Sequence, residues 1–209
     1  MNYIIIILGV IIILLIYILI RYVMATSTEL TAKANLNEDI GSVPIKNGPS
    51  NTSYSYGLWI YVNSWDMSRA KTIFNRTDNM QLYLDQNSPI LKCDILMTDG
   101  SSKTIEITDN FPLQKWVHVL VSVDNQYIDC YVDGKLVKSG RAYYETDEQI
   151  TTPKQPPGVD KEMKLGGTTR FDAYITKFKH WDEATNPETA YSAYMEGNGQ
   201  GVQNFMANY

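Results

Sequence analysis

Residues 116–134, WVHVLVSVDNQYIDCYVDG, alternate between apolar and polar side chains with a period of two. Valines stand at positions 117, 119, 121 and 123, so four branched side chains lie on one face of a pleated strand. Asp124-Asn125-Gln126 suits a chain reversal, and Asp133-Gly134 suits a hairpin turn because glycine tolerates a positive φ. With a returning strand at 135–138, the stretch predicts an antiparallel meander and lacks the helical spacing of an α/β fold.

Further strand patterns recur on both sides of this meander. Runs rich in aromatic and β-branched residues occupy 53–62, 71–75, 80–85, 90–97, 103–107 and 171–181. In the last run, Ile175 and Lys177 are expected on one face, and Phe178 and His180 on the other. Short strands separated by turns predict an all-β sandwich.

Two segments near the C-terminus differ from this strand pattern. Residues 141–161 contain three prolines and few aliphatic side chains, which predicts a long surface loop. One short helix is expected at 187–196, with Asn186 as its N-cap and Pro187 at its first helical position.

The N-terminal segment is a separate unit. An unbroken apolar run extends from Tyr3 to Ile20 and is followed by Arg21. As a helix this run is about 27 Å long, which matches the hydrocarbon thickness of a bilayer. Residues 1–24 are therefore predicted to be a transmembrane anchor whose partner is the lipid bilayer. A cleaved signal peptide with its site near Ala25 is the alternative, disfavoured because no basic residue precedes the run.

The rest of the chain divides into three predicted parts. Residues 25–50 are polar and read as a linker, although 28–36 could form two helical turns. Residues 51–196 form the folded domain. The Gly- and Asn-rich residues 197–209 are expected to be a tail that is flexible or bound to a partner.

Charge and cysteine content restrict the chemistry. The net charge of −5 disfavours non-specific nucleic-acid binding. Cys93 and Cys130 lie in strand-like runs, so a pair of buried thiols is favoured over a disulfide. Two cysteines and two histidines at these spacings do not make a zinc site, and the sequence predicts no cofactor.

Several of these segments together carry a family resemblance. The strand at 53–62 is followed by WVHVLVSVD, YIDCYVDGKLV, KLGG and FDAYITKFKHW. This series resembles the concanavalin A-like lectin/glucanase superfamily in its laminin-G-type form over residues 51–196, with Ala173 where relatives often have glycine. The resemblance implies an all-β, two-sheet antiparallel jelly-roll sandwich, here preceded by one transmembrane helix and ending in one short C-terminal helix.

The superfamily includes enzymes, but the residues do not favour catalysis. Glucanases of this type have a strand that reads Glu-x-Asp-x-x-Glu, whose acids act as nucleophile and general acid. The nearest match starts at Glu145, lacks the third acid and lies in the predicted loop. His118 is interpreted as a packed or edge-facing strand residue, and the sequence places no Ser or Cys nucleophile beside His180. The chain is therefore predicted not to be an enzyme.

Calcium is the one metal that the resemblance suggests. Loop acids bind calcium in related domains, and Asp66, Asp85, Asp109 and Asp133 are the available donors. Aspartate is also a common turn residue, and that interpretation is favoured for all four, so no metal site is predicted.

Three aromatic residues are the candidates for contacts with a sugar or a protein partner. Trp65, Tyr143 and Tyr144 lie in predicted loops, where exposed rings could stack on a ligand. The favoured hypothesis is a non-catalytic, membrane-anchored structural or interaction protein. Its plan resembles minor capsid proteins that join the capsid to the internal membrane in virions of large DNA viruses. A carbohydrate-binding, lectin-like surface module is the alternative, and a glycoside hydrolase is the second.

The orientation of the anchor follows from a small charge bias. Arg21 and Lys33 follow the apolar run, so the positive-inside rule predicts a C-terminal domain on the cytosolic, capsid-facing side. The glycosylation sequons at Asn51 and Asn75 are then expected to be unmodified, and the two thiols to be free.

Overall fold

The computed structural model of the chain describes residues 3–23, 27–45, 52–146 and 149–199; between 3 and 23 it describes the side chains of residues 3 and 6–17 only. Helix α1, Tyr3–Val23, comes first. Within the part of the chain described, no helix combines the length and the apolar character that a membrane crossing requires. The predicted transmembrane anchor is therefore not confirmed, although its helical state is.

The remaining described residues are mainly strands. In chain order the elements are β1 (Ser27–Asn35), β2 (Ser53–Val62), β3 (Lys71–Arg76), β4 (Met80–Leu84), β5 (Leu91–Leu96), β6 (Ser102–Thr108), β7 (Trp116–Asp124), β8 (Tyr127–Val132), β9 (Lys135–Arg141), β10 (Tyr144–Glu145), β11 (Ile150–Thr151), β12 (Met163–Leu165), β13 (Ala173–Trp181) and the helix α2 (Pro187–Met195). The bounds of β2 agree with those predicted, and the other predicted strands and the helix agree to within two or three residues.

Two antiparallel sheets form a sandwich. Sheet A has the order β1-β13-β2-β7-β8-β9, and sheet B has the order β12-β3-β4-β5-β6. A small ribbon of β10 and β11 lies apart from both sheets. The prediction of an all-β sandwich of antiparallel sheets with a short C-terminal helix is confirmed.

The alternation seen in the sequence defines the core between the sheets. The four valines of β7 are buried in one cluster with the inward residues of β5, namely Leu91, Cys93 and Ile95. Cys93 and Cys130 are both buried and free, as predicted. The core is thus built from the inward half of each alternating strand.

Helix α2 covers the outer face of sheet A. Its residues Ala190 and Ala193 are buried in a second cluster with Leu120, Tyr131 and Trp181. The Asn186 side chain accepts a hydrogen bond from the Thr189 amide at 2.8 Å, which caps the helix as the sequence predicted. Sheet A is therefore covered on both faces.

The predicted linker contains β-structure instead of being only a tether. Ser27–Asn35 forms the edge strand β1 and pairs antiparallel with β13, so the helical turns considered there are wrong. The chain then crosses to sheet B: the Leu36 amide bonds the Ala173 carbonyl at 2.8 Å and the Val43 amide bonds the Met163 carbonyl at 2.7 Å. An isolated helix of this length is marginally stable in water, whereas pairing with β13 gives the segment its hydrogen bonds within a packed sheet.

A β-bulge changes the faces of the last strand. Lys177 has a φ of 48°, and the register of β13 against β2 shifts between Thr176 and Lys179. Phe178 therefore returns to the core face that Ile175 occupies, and both are fully buried. The predicted separation of these two side chains onto opposite faces is wrong because the bulge inserts one extra residue.

The predicted loop at 141–161 is also partly ordered. It contains the ribbon of β10 and β11, and Pro153 forms a bridge with Met97. The guanidinium of Arg76, itself buried, donates to the Pro157 and Gly158 carbonyls at 2.9 and 2.7 Å, and to that of Lys161. Of the predicted tail, residues 200–209 lie outside the described part.

Candidate functional site

The outward face of sheet B is the open polar surface of the sandwich. Its side chains alternate with the core residues of the same strands, and they are Thr72, Asn75, Gln81, Tyr83, Lys92, Asp94, Thr104 and Glu106. Within the described residues no helix packs on this face, in contrast to the outer face of sheet A. Sheet B therefore presents hydrogen-bonding groups to solvent across several strands.

A cleft of about 660 Å³ lies at one edge of this face. It is enclosed by the crossing segment 36–42 on one side, and by β3, β12 and the turn at 166–167 on the other. Thr72, Asn75 and Gln81 contribute neutral polar groups to its lining, while Asp39 and Arg170 contribute charge. A volume in this range is typical of ligand sites in proteins.

Two glycines allow the chain to pass close to β3 at this cleft. Gly166 has a φ of 72°, which favours glycine because it lacks a Cβ. A Cβ on Gly167 would lie 3.0 Å from Thr72 Oγ1. The same hydroxyl accepts a hydrogen bond from Gln81 Nε2 at 3.1 Å. The turn thus fixes the distance between β12 and the polar side chains of β3 and β4.

Charged groups form the outer border of the cleft. Arg170 Nη2 lies 3.6 Å from Asp39 Oδ2, and Lys164 Nζ lies 3.0 Å from Glu162 Oε2. All four side chains are more than half exposed to solvent, so these ion pairs add little stability. The lining is therefore neutral and polar inside and of mixed charge at the border, which suits an uncharged polar ligand.

On the other half of the face, Asp94 is already engaged. Its Oδ1 accepts hydrogen bonds from the Tyr83 hydroxyl at 3.2 Å and from Thr104 Oγ1 at 2.6 Å. Burial, together with the charge of Asp94, raises the pKa of Tyr83. This part of the face is a preformed hydrogen-bond network in which the Asp94 carboxylate is an acceptor.

The predicted contact residue Trp65 does not line the cleft. Trp65 is half-buried against the core, and Lys71 Nζ lies 4.1 Å above the centre of its ring. Lys71 also donates to the Arg69 and Gln86 carbonyls at 2.8 and 2.9 Å. One face of the ring is thus covered by a cation that ties two loops together.

The predicted contact residues Tyr143 and Tyr144 lie at the opposite end of the sandwich from Trp65. Arg141 stacks 4.2 Å from the Tyr143 ring centre, and the Tyr143 hydroxyl donates to Glu145 at 2.7 Å. Lys103 donates to the Tyr144 hydroxyl at 2.7 Å. The structure brings these two tyrosines together and does not bring Trp65 to them. Their role as contact residues stays a prediction.

The four acidic residues weighed as calcium donors do not converge. Asp66 accepts from the Ser68 amide at 2.8 Å, Asp85 from Lys92 at 2.7 Å and Asp133 from the His118 amide at 2.9 Å. Asp109 lies in the bend after β6. The described residues contain no group of three acidic, His or Cys side chains arranged for a metal ion. These contacts correspond to the turn and strand roles that aspartate commonly has.

Both histidines are packed in the interior; for His118 this is one of the two strand positions predicted, packed or facing an edge. The His118 ring packs beside those of Trp59 and Tyr194, with ring centres 5.3 and 6.3 Å away, and His180 stacks on Tyr56 at 4.9 Å. Burial lowers the pKa of each to about 4, so both are neutral at pH 7. Neither histidine lines the cleft.

Among the described residues, the carboxyl groups whose pKa is shifted do not suit the general acid of a glycosidase. A general acid at neutral pH needs a raised pKa, but the described carboxyl groups with a shifted pKa, Asp66, Asp85 and Asp99, are all shifted downward, mainly by hydrogen bonds from neighbouring side chains. Glu145, the first residue of the segment nearest to the glucanase motif, is exposed in β10. Residues 147 and 148 lie outside the described part of the chain.

Sequence reasoning missed the cleft residues Thr72, Gln81 and Asp39. A signal was available for the first two, because they are the polar positions of alternating strands and must face away from the core. Asp39 lies in the segment interpreted as linker, and nothing local indicates that it meets β3 and β12.

The comparisons with known proteins concern the same part of the chain. Residues 37–190, more than half of the chain, match a laminin-G-type family model described as the concanavalin A-like lectin/glucanases superfamily. No curated protein sequence matches the chain.

Among solved structures, the receptor binding domain of botulinum neurotoxin D is similar, with a TM-score of 0.61, 16% identity and coverage of 81% of this chain and 45% of that one. The binding domain of Paraclostridial Mosquitocidal Protein 1 has a TM-score of 0.58 and 13% identity, over 81% of this chain and 45% of that one. The receptor binding domain of the botulinum neurotoxin C/D mosaic serotype has a TM-score of 0.52 and 16% identity, over 82% of this chain and 43% of that one. The chain spans less than half the length of these proteins, and at these identities the likeness concerns the fold.

Proposed function

The chain belongs to the concanavalin A-like lectin/glucanases superfamily, and from this premise we propose that it is a non-catalytic binding module that α1 attaches to a lipid bilayer. The observation that carries the binding role is the open polar face of sheet B with its cleft. Because α2 covers the other sheet, the face of sheet B is the broad surface left for a ligand.

A carbohydrate is the ligand whose chemistry fits the cleft best. The amides of Asn75 and Gln81 and the hydroxyl of Thr72 each offer both donors and acceptors, which sugar hydroxyl groups require. Their half-buried positions hold them on rigid strands. This observation favours the lectin-like alternative for the ligand.

The exposed surface of α1 supports membrane attachment. Its 21 residues give a helix about 31 Å long at 1.5 Å per residue. The described aliphatic side chains of α1 are 46% to 69% exposed, with Ile6 and Ile13 at the two limits. An exposed apolar surface of this kind is characteristic of a membrane or protein interaction site.

A binding experiment tests the ligand. The full chain in phosphatidylcholine nanodiscs is applied to a glycan array with and without calcium. We expect Gln81→Ala and Asn75→Ala, which remove cleft amides, to weaken the binding of any glycan that is retained. Glu106→Ala changes the same face away from the cleft and is the matched control. A lack of glycan binding, or equal losses in all three variants, would contradict the proposal.

The side of the membrane on which the domain lies and the identity of its protein neighbours are proposed from the sequence alone. Arg21 and Lys33 support a cytosolic domain, and the role as a minor virion protein between capsid and membrane rests on the overall plan of the chain. Intact-mass measurement of the native protein tests the location, because a glycan at Asn51 or Asn75 would put the domain on the other side. Cross-linking in native membranes or virions identifies the neighbours, and a set without capsid proteins would contradict the virion role.

A further inference from the structure

We infer that one end of the sandwich rests on the surface of the bilayer that holds α1; this depends on the membrane attachment proposed above. We call it the Tyr127 end. It consists of the start of β2, the turn between β7 and β8, the ribbon of β10 and β11, and residues 157–161. The opposite end carries Trp65 and Met67.

The short connection between α1 and β1 restricts where the domain can be. α1 ends at Val23 and β1 begins at Ser27, so only three residues separate them. Four extended steps of the chain span at most about 14 Å. A polar linker reaching to residue 50 would have left the domain free to move, but β1 holds the chain in sheet A directly after the helix.

The strand pairing shows which end of the sandwich is close to the helix. Ser27 pairs with Trp181, and Trp181 pairs with Ser55, two residues from the start of β2. In the same sheet Ser53 pairs with Asp124, and Asp124 pairs with Tyr127. The start of β1 is therefore at the Tyr127 end. The opposite end is about 30 Å away, because β2 and β7 have 10 and 9 residues that rise about 3.3 Å each.

Large apolar side chains are exposed at this end. Tyr127, Tyr144, Ile150 and Val159 are 52%, 48%, 57% and 53% exposed. Val159 belongs here because Arg76, the last residue of β3, holds the carbonyls on either side of it. Among the described residues of the domain, other large apolar side chains are exposed at separate places: Met67 and Leu113 at the opposite end, Leu136 and Val137 in β9, and Tyr191 and Met195 in α2. Tyrosine rings with aliphatic neighbours are the composition that proteins place at the membrane interface.

The charges at the Tyr127 end indicate contact through these apolar groups and not through a basic patch. Arg141 and Lys103 lie on tyrosine rings, and Glu145 and Asp124 are close to them in the fold. Acidic and basic groups are therefore mixed. We expect contact with zwitterionic lipid headgroups that changes little when anionic lipid is added or when salt is raised.

Fluorescence quenching in nanodiscs tests the seating of the domain. Single cysteines are introduced into the full chain as Ile150→Cys, Tyr127→Cys, Met67→Cys and Ile12→Cys, and each is labelled with a small fluorophore; the native cysteines are buried. The phosphatidylcholine discs contain a nitroxide on the headgroup or along the acyl chain. We expect headgroup quenching at 150 and 127, acyl-chain quenching at 12, and no quenching at 67, which is 64% exposed but about 30 Å from the bilayer.

The outcomes separate the two proposals. Quenching at position 12 without quenching at 150 and 127 would overturn the seating and leave the membrane attachment intact. Equal headgroup quenching at 67 and 150 would also overturn the seating. If the label at position 12 is not quenched and the protein does not float with vesicles, the membrane attachment fails and this inference fails with it.

Discussion

Tyr194 in α2 stacks on Trp59 in β2, with ring centres 5.4 Å apart and an interplanar angle of 24°. Trp59 belongs to the outer face of sheet A, so this pair attaches the helix to the sheet. With Ala190 and Ala193 it covers one side of the sandwich, and a ligand is left with the face of sheet B.

The stacked pair predicts a specific loss on truncation. Tyr194→Ala removes a half-buried ring, and we expect the free energy of unfolding to fall by about 1–3 kcal/mol. Tyr191→Ala removes the same type of ring three positions earlier, where it is 51% exposed, and we expect a loss below about 0.5 kcal/mol. Urea denaturation of both variants provides the measurement. Equal losses would show that α2 does not depend on this contact.

Alanine substitutions at two glycines distinguish the cost of backbone strain from that of steric contact with α2. Gly134 has a φ of 73°, and a Cβ there would lie 3.1 Å from Tyr191 Cδ2 and Tyr194 Cβ. Gly100 has a φ of 84° with no atom within 4 Å of the added Cβ. We expect Gly100→Ala to cost about 1 kcal/mol through strain, and Gly134→Ala to cost at least about 1 kcal/mol more. Thermal unfolding measures the difference, and identical melting temperatures would contradict this account.

The buried histidines predict loss of stability in acid. Burial lowers the pKa of His118 and His180 from 6.5 to about 4. Between these values the unfolded chain binds protons and the folded chain does not, so stability falls as the pH falls through this window. The loss is up to about 3 kcal/mol for each histidine. Urea midpoints at several pH values measure it.

A single variant tests how much of this loss of stability in acid comes from His118. His118→Phe keeps an aromatic ring beside Trp59 and Tyr194, and the Nδ1 atom that it removes has no hydrogen-bond partner. We expect the decrease in stability between pH 6.5 and 4 to be about half that of the unsubstituted chain. An unchanged decrease would show that His118 does not contribute.

The hydrogen bonds from Arg76 are expected to hold residues 157–161 in place. Arg76→Met keeps the apolar stem but removes the donors to three carbonyl groups, and we expect a loss of about 2–4 kcal/mol. Trypsin should then cut after Lys161 while the rest of the chain stays folded. Arg69→Met is the matched control, because Arg69 is about half exposed. The same cleavage rate in both variants would contradict the role of Arg76.

The two cysteines should be unreactive in the folded chain. Burial raises the pKa of the Cys130 thiol to about 12 and that of Cys93 well above its ordinary value. The reactive thiolate is therefore scarce at pH 8. We expect no alkylation by iodoacetamide without urea and two alkylations per chain in urea, counted by intact mass. Rapid labelling of the folded protein, or a mass lower by two hydrogens, would contradict this.

Local patterns explain what could be predicted. The alternation in β7 and β2 specifies strands because each side chain's face depends only on its neighbours in the chain. The cap at Asn186 and Pro187 is likewise written within a few residues. These features were confirmed with small errors at the ends of the elements.

Other features depend on distant partners. The sequence of Ser27–Asn35 is polar, and it becomes a strand because β13 supplies its hydrogen bonds. The bulge at Lys177 has no local signal and reverses the faces of the residues after it. For the same reason the aromatic residues chosen as contacts, Trp65 and Tyr144, were separated to opposite ends of the sandwich.

The sequence by itself determined the class of the fold, the inward half of each central strand and the burial of the two thiols, because hydrophobic periodicity is a local property. Only the tertiary structure decided where a ligand could bind. Asp39 is far in the chain from the β3–β4 hairpin that carries Thr72 and Gln81, and they meet because β12 and β3 are neighbours and the segment 36–42 crosses beside them. That order of strands is set by long-range pairing between sheets that bury a common core, and no window of the sequence contains it.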